Sequence, residues 1–401
     1  MLERAEGVIA PSRGSLRLFL LVAALLPLFI QTLYGRLPVH TYITDPSFKD
    51  FLFKILAYAA VGLIVPVRSL RLLWWVILFS HVITKDALFL GDASFYLTNI
   101  AGALLLFSIL YRWMDAGLFI LFCRAVGISL AANLGLQLLQ HFQLDPFHSF
   151  HVIHPAGATH GWISIPQVPV GFMGNLVSLG IYYAAALPTL LVSCGALFPV
   201  VGAALLVGIL LTHSKTALVL GAALYLACWA SYCRQRPESY PRYRVFAFCS
   251  VAGFLALLPW SLSHASTLAH AVSHRWIIWK GAFRFLQSPW LGDGLSSWSL
   301  RRFWYSGSIW PQACNEYVQI LYELGIIGLV LVLFYIARLI LRVRQTGAAA
   351  DDDTGRVAYL CILSTLISAF VFFPFHMPQT ALILIVCLAY LERSIAHVGI
   401  A

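Results

Sequence analysis

The sequence predicts an all-α polytopic membrane protein with about 12 transmembrane helices. Three observations predict it. Of the 401 residues, 60% are hydrophobic and only 10% are charged, against about 25% charged in a soluble domain. Mean hydropathy is +0.84. Apolar stretches recur along the whole chain, each close to the roughly 20 residues that a helix needs to cross a bilayer. A set of soluble domains is excluded. The net charge of +10 reads as the basic bias of cytoplasmic loops and not as a nucleic-acid-binding face.

The spans fall at 18–34, 51–67, 70–84, 94–111, 117–139, 175–192, 195–211, 216–232, 245–262, 317–341, 357–373 and 380–391, making residues 1–401 a single transmembrane domain. The first follows Arg4, Arg13 and Arg17 and has no small-residue cleavage site behind it, so it reads as an anchor. Placing both termini in the cytoplasm puts fifteen of the 26 Lys and Arg residues there. The clusters around Arg234 to Arg244 and Arg338 to Arg344 decide that orientation. Arg124 falls inside the fifth span, where a charge is costly and is either paired or functional. Seven of the eight cysteines lie in or beside spans, where Cys behaves as a small hydrophobe; Cys314 stands alone in a loop.

Two loops face the other side. Residues 140–174 are poor in charge and rich in histidine, with His148, His151 and His154 three apart and His141, Asp145 and His160 around them. Such spacing invites a metal reading, but Pro146 and Pro155 interrupt any helix, and no carboxylate cluster or cysteine pair supports it. No metal site and no cofactor are expected. The second loop, 263–316, separates the ninth and tenth spans. It holds five cations (Arg275, Lys280, Arg284, Arg301, Arg302) and six of the 12 tryptophans, among them Trp276, Trp279 and Trp310. Cations kept on the translocated side imply an anionic ligand, and aromatic rings between them suit stacking on sugar faces. An interfacial tryptophan belt is the plainer reading of any single ring.

Within that loop, Arg275-Trp276-Ile277-Ile278-Trp279-Lys280 begins a basic-aromatic helical pattern, and Pro289-Trp290-Leu291-Gly292-Asp293-Gly294 makes a turn. Cys314-Asn315-Glu316-Tyr317-Val318-Gln319 and Tyr322-Glu323-Leu324-Gly325-Ile326-Ile327-Gly328 then open a span. Upstream lie Gly171-Phe172-Met173-Gly174-Asn175 and Thr212-His213-Ser214-Lys215-Thr216. In order and spacing these motifs resemble the O-antigen ligase and polymerase superfamily of bacterial glycan transferases, over about residues 171–378. Members usually carry a histidine where this chain has Cys314, and an arginine where it has Lys215.

The resemblance implies a GT-C-like fold in the bacterial inner membrane with a periplasmic active site, and a metal-independent inverting glycosyltransferase. It implies a glycan donor on undecaprenyl pyrophosphate and an acceptor hydroxyl on lipid A core or another glycan, among membrane lipids. Ligation of O-antigen to lipid A core is the leading expectation. Polymerisation, protein O-glycosylation, lipid-glycan transport and an inactive homologue remain open. Lys215 and Arg275 are expected to hold the pyrophosphate, with Lys280 and Arg284 behind them, and Trp276, Trp279 and Trp310 to stack on the glycan. The catalytic candidates are Cys314, Asn315, Glu316, His213 and His274. A thiol of ordinary pKa, about 8.5, is a poor base near neutral pH, so His213 and His274, beside the phosphate residues, are candidate substitutes. Asn315 also suits a helix cap, and Glu316 suits either the acceptor or a pairing with Arg301 or Arg302.

Overall fold

The computed structural model describes residues 58, 61–62, 64–83, 90–142, 144, 171, 173, 176–235, 266–298, 313–348 and 353–398. Among them there is no strand. In chain order the helices are α1 (Arg68–Ile83), α2 (Leu90–Trp113), α3 (Ala116–His141), α4 (Leu176–Ala186), α5 (Leu190–Ser193), α6 (Phe198–Leu211), α7 (Lys215–Gln235), α8 (Ser266–Phe285), α9 (Glu316–Thr346), α10 (Asp353–Ser368) and α11 (Pro378–Val398). Among the described residues α3, α7, α9 and α11 are long and apolar enough to cross a bilayer; the stretches Val177–Ser193 and Gly195–Leu211 are apolar but shorter. This agrees with a polytopic membrane protein. The first and ninth expected spans, and most of the second, lie outside the described residues, as does the histidine run of 148–160.

Helix α4 is the centre of the bundle. Every residue from Leu179 to Leu190 is buried, as expected of a helix that is apolar all round. It packs against α6, α7, α10 and α11. Pro188 ends its regular hydrogen bonding, and the chain tightens into a 3₁₀ turn, Leu187–Thr189, before α5.

Helix α3 faces this core with a polar stripe of Ser129, Asn133, Gln137 and Gln140, all buried. Tyr182 donates to Ser129 Oγ (2.8 Å), Tyr183 donates to Gln137 Oε1 (3.1 Å), and Gln137 Nε2 donates to the Gly208 carbonyl (2.9 Å). Hydrogen bonds of this kind join helices where lipid offers no polar partner. At the end of the stripe Gln140 Oε1 accepts from Gly171 N (2.8 Å), which ties the segment before α4 to α3. Arg124 lies off the stripe on an exposed face of α3, a position from which a long side chain reaches the interface.

Helix α9 packs against α1, α8 and α11. Its exposed Val330, Leu333, Phe334 and Leu341 make an outward apolar face.

Candidate functional site

The site is built at the head of α9. Cys314 takes a left-handed backbone (φ 54°), sparsely populated for a side-chain-bearing residue. Asn315 follows in extended conformation and caps α9, its side chain accepting from Val318 N (3.1 Å). Three further bonds fix the turn. Trp279 Nε1 donates to the Ala313 carbonyl (3.0 Å), Ala313 N donates to Gln319 Oε1 (3.2 Å), and Glu316 N donates to the Ala369 carbonyl (2.9 Å). Arg275 stands one helical turn before Trp279, and i, i+4 residues share a face. Burial pushes the Cys314 thiol up, and the nearby Arg275 charge pulls it back only in part. A thiol held protonated in this way is not a general base.

Glu316, Gln319 and Glu323 form a buried stripe on α9 at i, i+3 and i+7. The turn Pro374–His376, between α10 and α11, docks on it. His376 Nδ1 lies 2.9 Å from Glu316 Oε2, and Phe375 N donates to Glu316 Oε1 (2.8 Å). His376 Nε2 lies 3.3 Å from Gln319 Nε2, which also donates to Glu323 Oε1 (3.1 Å). Because Gln319 Oε1 is taken by Ala313 N, its amide nitrogen must face both His376 and Glu323. Donor counting then assigns the His376 proton to Nδ1, donated to Glu316, and leaves Nε2 as an acceptor. Burial works to lower the His376 pKa, but the charge and hydrogen bond of Glu316, with the charge of Glu323, outweigh it and leave it raised. The Tyr96 ring meets the imidazole edge-on, centroids 5.6 Å apart.

The glycine motifs have a steric cause. Gly325 breaks α9 (φ 68°, ψ −171°), and residues 287–294 dock along the break. Asp293 N donates to the Tyr322 carbonyl, Gly294 N to that of Glu323, and Ile326 N and Ile327 N to those of Pro289 and Trp290, at 2.8 to 3.2 Å. The backbones are so close that a Cβ on Gly292 would lie 2.3 Å from the Glu323 carbonyl carbon, and one on Gly325 2.3 Å from the Trp290 carbonyl oxygen. The Asp293 carboxylate holds the loop from within, accepting from Gln287 N and Ser288 N.

Lys215 is carried by the turn between α6 and α7. His213 has a left-handed backbone (φ 51°), and Ser214 Oγ accepts from Ala217 N (3.4 Å) at the start of α7. Gly180 of α4 lets this turn approach, since a Cβ there would meet Thr212 Oγ1 at 2.7 Å. Lys215 Nζ is buried and has no hydrogen-bond partner among the described residues. A buried cation without a counter-charge is costly, and the first turn of a helix favours an anion.

Arg275, Trp279, Cys314, Asn315 and Glu316 are therefore brought together. Trp276, Lys280 and Arg284 are exposed, on α8 positions offset from the Arg275–Trp279 face; the Arg284 guanidinium lies 5.6 Å above the Phe285 ring. His213 is exposed. His274 is in α8, but its side chain, like Trp310, Arg301 and Arg302, lies outside the described residues. Glu316 pairs with His376, which was not picked out from sequence; Gln319 and Glu323 stood in the sequence motif but carried no assigned role.

The family model of the O-antigen ligases matches residues 199–333. The resemblance drawn from the motifs is thus shown over the stretch that carries the Lys215 turn, α8, the docked loop and the head of α9. The O-antigen ligase match supports glycan transfer of ligase or polymerase type. His376 lies beyond it. No curated protein matches the chain.

Proposed function

We propose that this chain is a metal-independent, inverting glycosyltransferase that moves a glycan from undecaprenyl pyrophosphate to a sugar hydroxyl, with ligation to lipid A core as the favoured acceptor reaction. The observation that carries the proposal is the buried Glu316–His376 pair beside Cys314, the position where the resemblance expects a histidine. In this reading His376 Nε2 gives up its hydrogen bond to Gln319 and takes the proton of the acceptor hydroxyl. The hydroxyl oxygen bonds to the anomeric carbon, and the bond from that carbon to the pyrophosphate oxygen breaks on the opposite face. Glu316 stabilises the resulting imidazolium, much as a carboxylate does for other catalytic histidines. Lys215 and Arg275 offset the negative charge that grows on the leaving pyrophosphate, in sites arranged before the reaction begins. Lys215 acts as a point charge where an arginine would grip two oxygens.

The test is transfer from a purified lipid-linked donor by the full chain in detergent or liposomes. His376→Ala should lose transfer while Cys314→Ala keeps most of it. Loss with Cys314→Ala and retention with His376→Ala would return proton transfer to position 314. Full activity in both Lys215→Ala and Arg275→Ala would overturn the glycan-transfer reading itself. An inactive parent that gains transfer with Cys314→His would establish the silent-homologue alternative.

A further inference from the structure

A cavity of about 730 Å³ lies beside the half of α9 that follows its midpoint, between α9 and the start of α1, lined by Arg68, Ser69, Arg71, Trp75, Phe334 and Arg338 among others. None of its lining residues is acidic. Arg68 and Arg338 are exposed. Arg71 spends Nε and Nη2 on the Val65 carbonyl (2.9 and 2.7 Å), leaving Nη1 for another acceptor. Ser69 Oγ is buried without a hydrogen-bond partner among the described residues. Two of the arginines stand in the first turn of α1, which has no acidic residue. Cations there oppose the helix dipole, whereas an anion would suit it. Leucine, tryptophan and phenylalanine side chains continue the wall, with Leu72, Trp75 and Phe334 exposed.

We propose that this cavity binds the phosphate of an acidic glycerophospholipid, with an acyl chain lying along Trp75 and Phe334. Basic pockets between transmembrane helices take such headgroups, and the combination of three guanidiniums with an apolar wall fits a phosphate that is attached to a chain. By the distribution of basic residues this half of α9 lies toward the cytoplasm. The site is separate from the head of α9 and does not depend on the transfer reaction.

The full chain, exchanged into nanodiscs of phosphatidylcholine with one fifth cardiolipin or phosphatidylglycerol, is released and examined by native mass spectrometry. Retention of acidic lipid is compared with Arg68→Gln/Arg338→Gln, whose exposed side chains can change without opening the core. The expected result is at least tenfold enrichment of acidic over zwitterionic lipid in the parent, lost in the double variant, with a matching loss of thermal protection by added acidic lipid. Equal retention by parent and variant would overturn the proposal. So would equal protection by inorganic phosphate, which would mean that no lipid is required, or equal uptake of polyprenyl phosphate, which would mean that the glycerophospholipid is not selected. Variants at Cys314 or His376 should leave retention unchanged, so failure here and failure of the transfer reading give different results.

Discussion

Gly292→Ala is the sharpest test of how the loop builds the site. The backbone at Gly292 has φ 73°, and a side-chain-bearing residue in the left-handed region loses about 1–2 kcal/mol. The added methyl would lie 2.3 Å from the Glu323 carbonyl carbon and 2.5 Å from Leu324 N. These are backbone atoms and cannot rotate away, so overpacking adds about 1–3 kcal/mol. If the loop lifts instead, it gives up the Asp293–Tyr322 and Gly294–Glu323 backbone bonds, worth about 1 kcal/mol each. Either route costs roughly 2–5 kcal/mol. Gly195→Ala is the control: its φ is 54°, but nothing lies within 4 Å of the added carbon, so only the conformational cost of about 1–2 kcal/mol applies. Thermal unfolding in detergent, followed by tryptophan fluorescence, reads the difference, since Trp298 is fully buried edge-on to Tyr322 (centroids 5.4 Å apart) beside the docked loop. Gly292→Ala should lower the midpoint by two- to threefold more than Gly195→Ala. Equal shifts in the two variants would refute the steric account.

The pH profile of transfer tests the His376 assignment: a base must be neutral, so the rate should rise with pH through the raised His376 pKa. Glu316→Gln removes the main upward influence and leaves burial, so the inflection should move to lower pH. An unmoved inflection in that variant would show that another group titrates. The same linkage acts on stability. The His376–Glu316 pairing contributes fully below the ordinary histidine value of 6.5, and its contribution is lost as pH rises through the higher folded value. Denaturation midpoints of the parent should fall across that window, and His376→Ala should flatten the trend. Lys215→Met should raise the melting temperature of the donor-free protein while abolishing transfer, because it removes a buried ammonium that has no partner among the described residues; a lower melting temperature would show that Nζ is already neutralised. Arg342→Ala breaks the 2.8 Å pair with Glu392, whose side chain is 4% exposed against 30% for Arg342, and should cost about 1–3 kcal/mol by leaving a buried carboxylate without its nearest counter-charge. The double change Arg342→Met/Glu392→Met should recover most of that loss in the same unfolding assay.

The helices were legible because lipid imposes one rule on every span: each must be apolar and about 20 residues long. Expected spans three to eight and ten to twelve fall on described helices, of which α3, α7, α9 and α11 are long and apolar enough to cross a bilayer. Asn315 was readable as a cap because its reach is local, three residues to Val318. His376 was not, because its partner Glu316 lies sixty residues earlier and nothing in the local pattern links them. A polar imidazole between Pro374 and Pro378, in a turn flanked by two spans, was the available signal. Lys280 and Arg284 were chosen as members of a charge cluster, but helical geometry sorts a cluster by face. Arg275 and Trp279 share the face toward Cys314, and Trp276, Lys280 and Arg284 share another. The glycines announced a tight turn, but not that the loop at Gly292 and the break at Gly325 are two halves of one contact.

The break at Gly325 also divides α9 by length. From Ile326 to Thr346 the helix runs for 21 residues, which at 1.5 Å each is about 31 Å, the thickness of a hydrocarbon core. That length would cross a bilayer by itself, but Arg338, Arg342 and Arg344 fall within it, so the span read from the sequence, 317–341, reaches back through the break. The backbone groups orphaned at the break, the Tyr322 and Glu323 carbonyls and the Ile326 and Ile327 amides, are each taken up by residues 289–294, so the glycine turns a helix interior into a seam that a second segment closes.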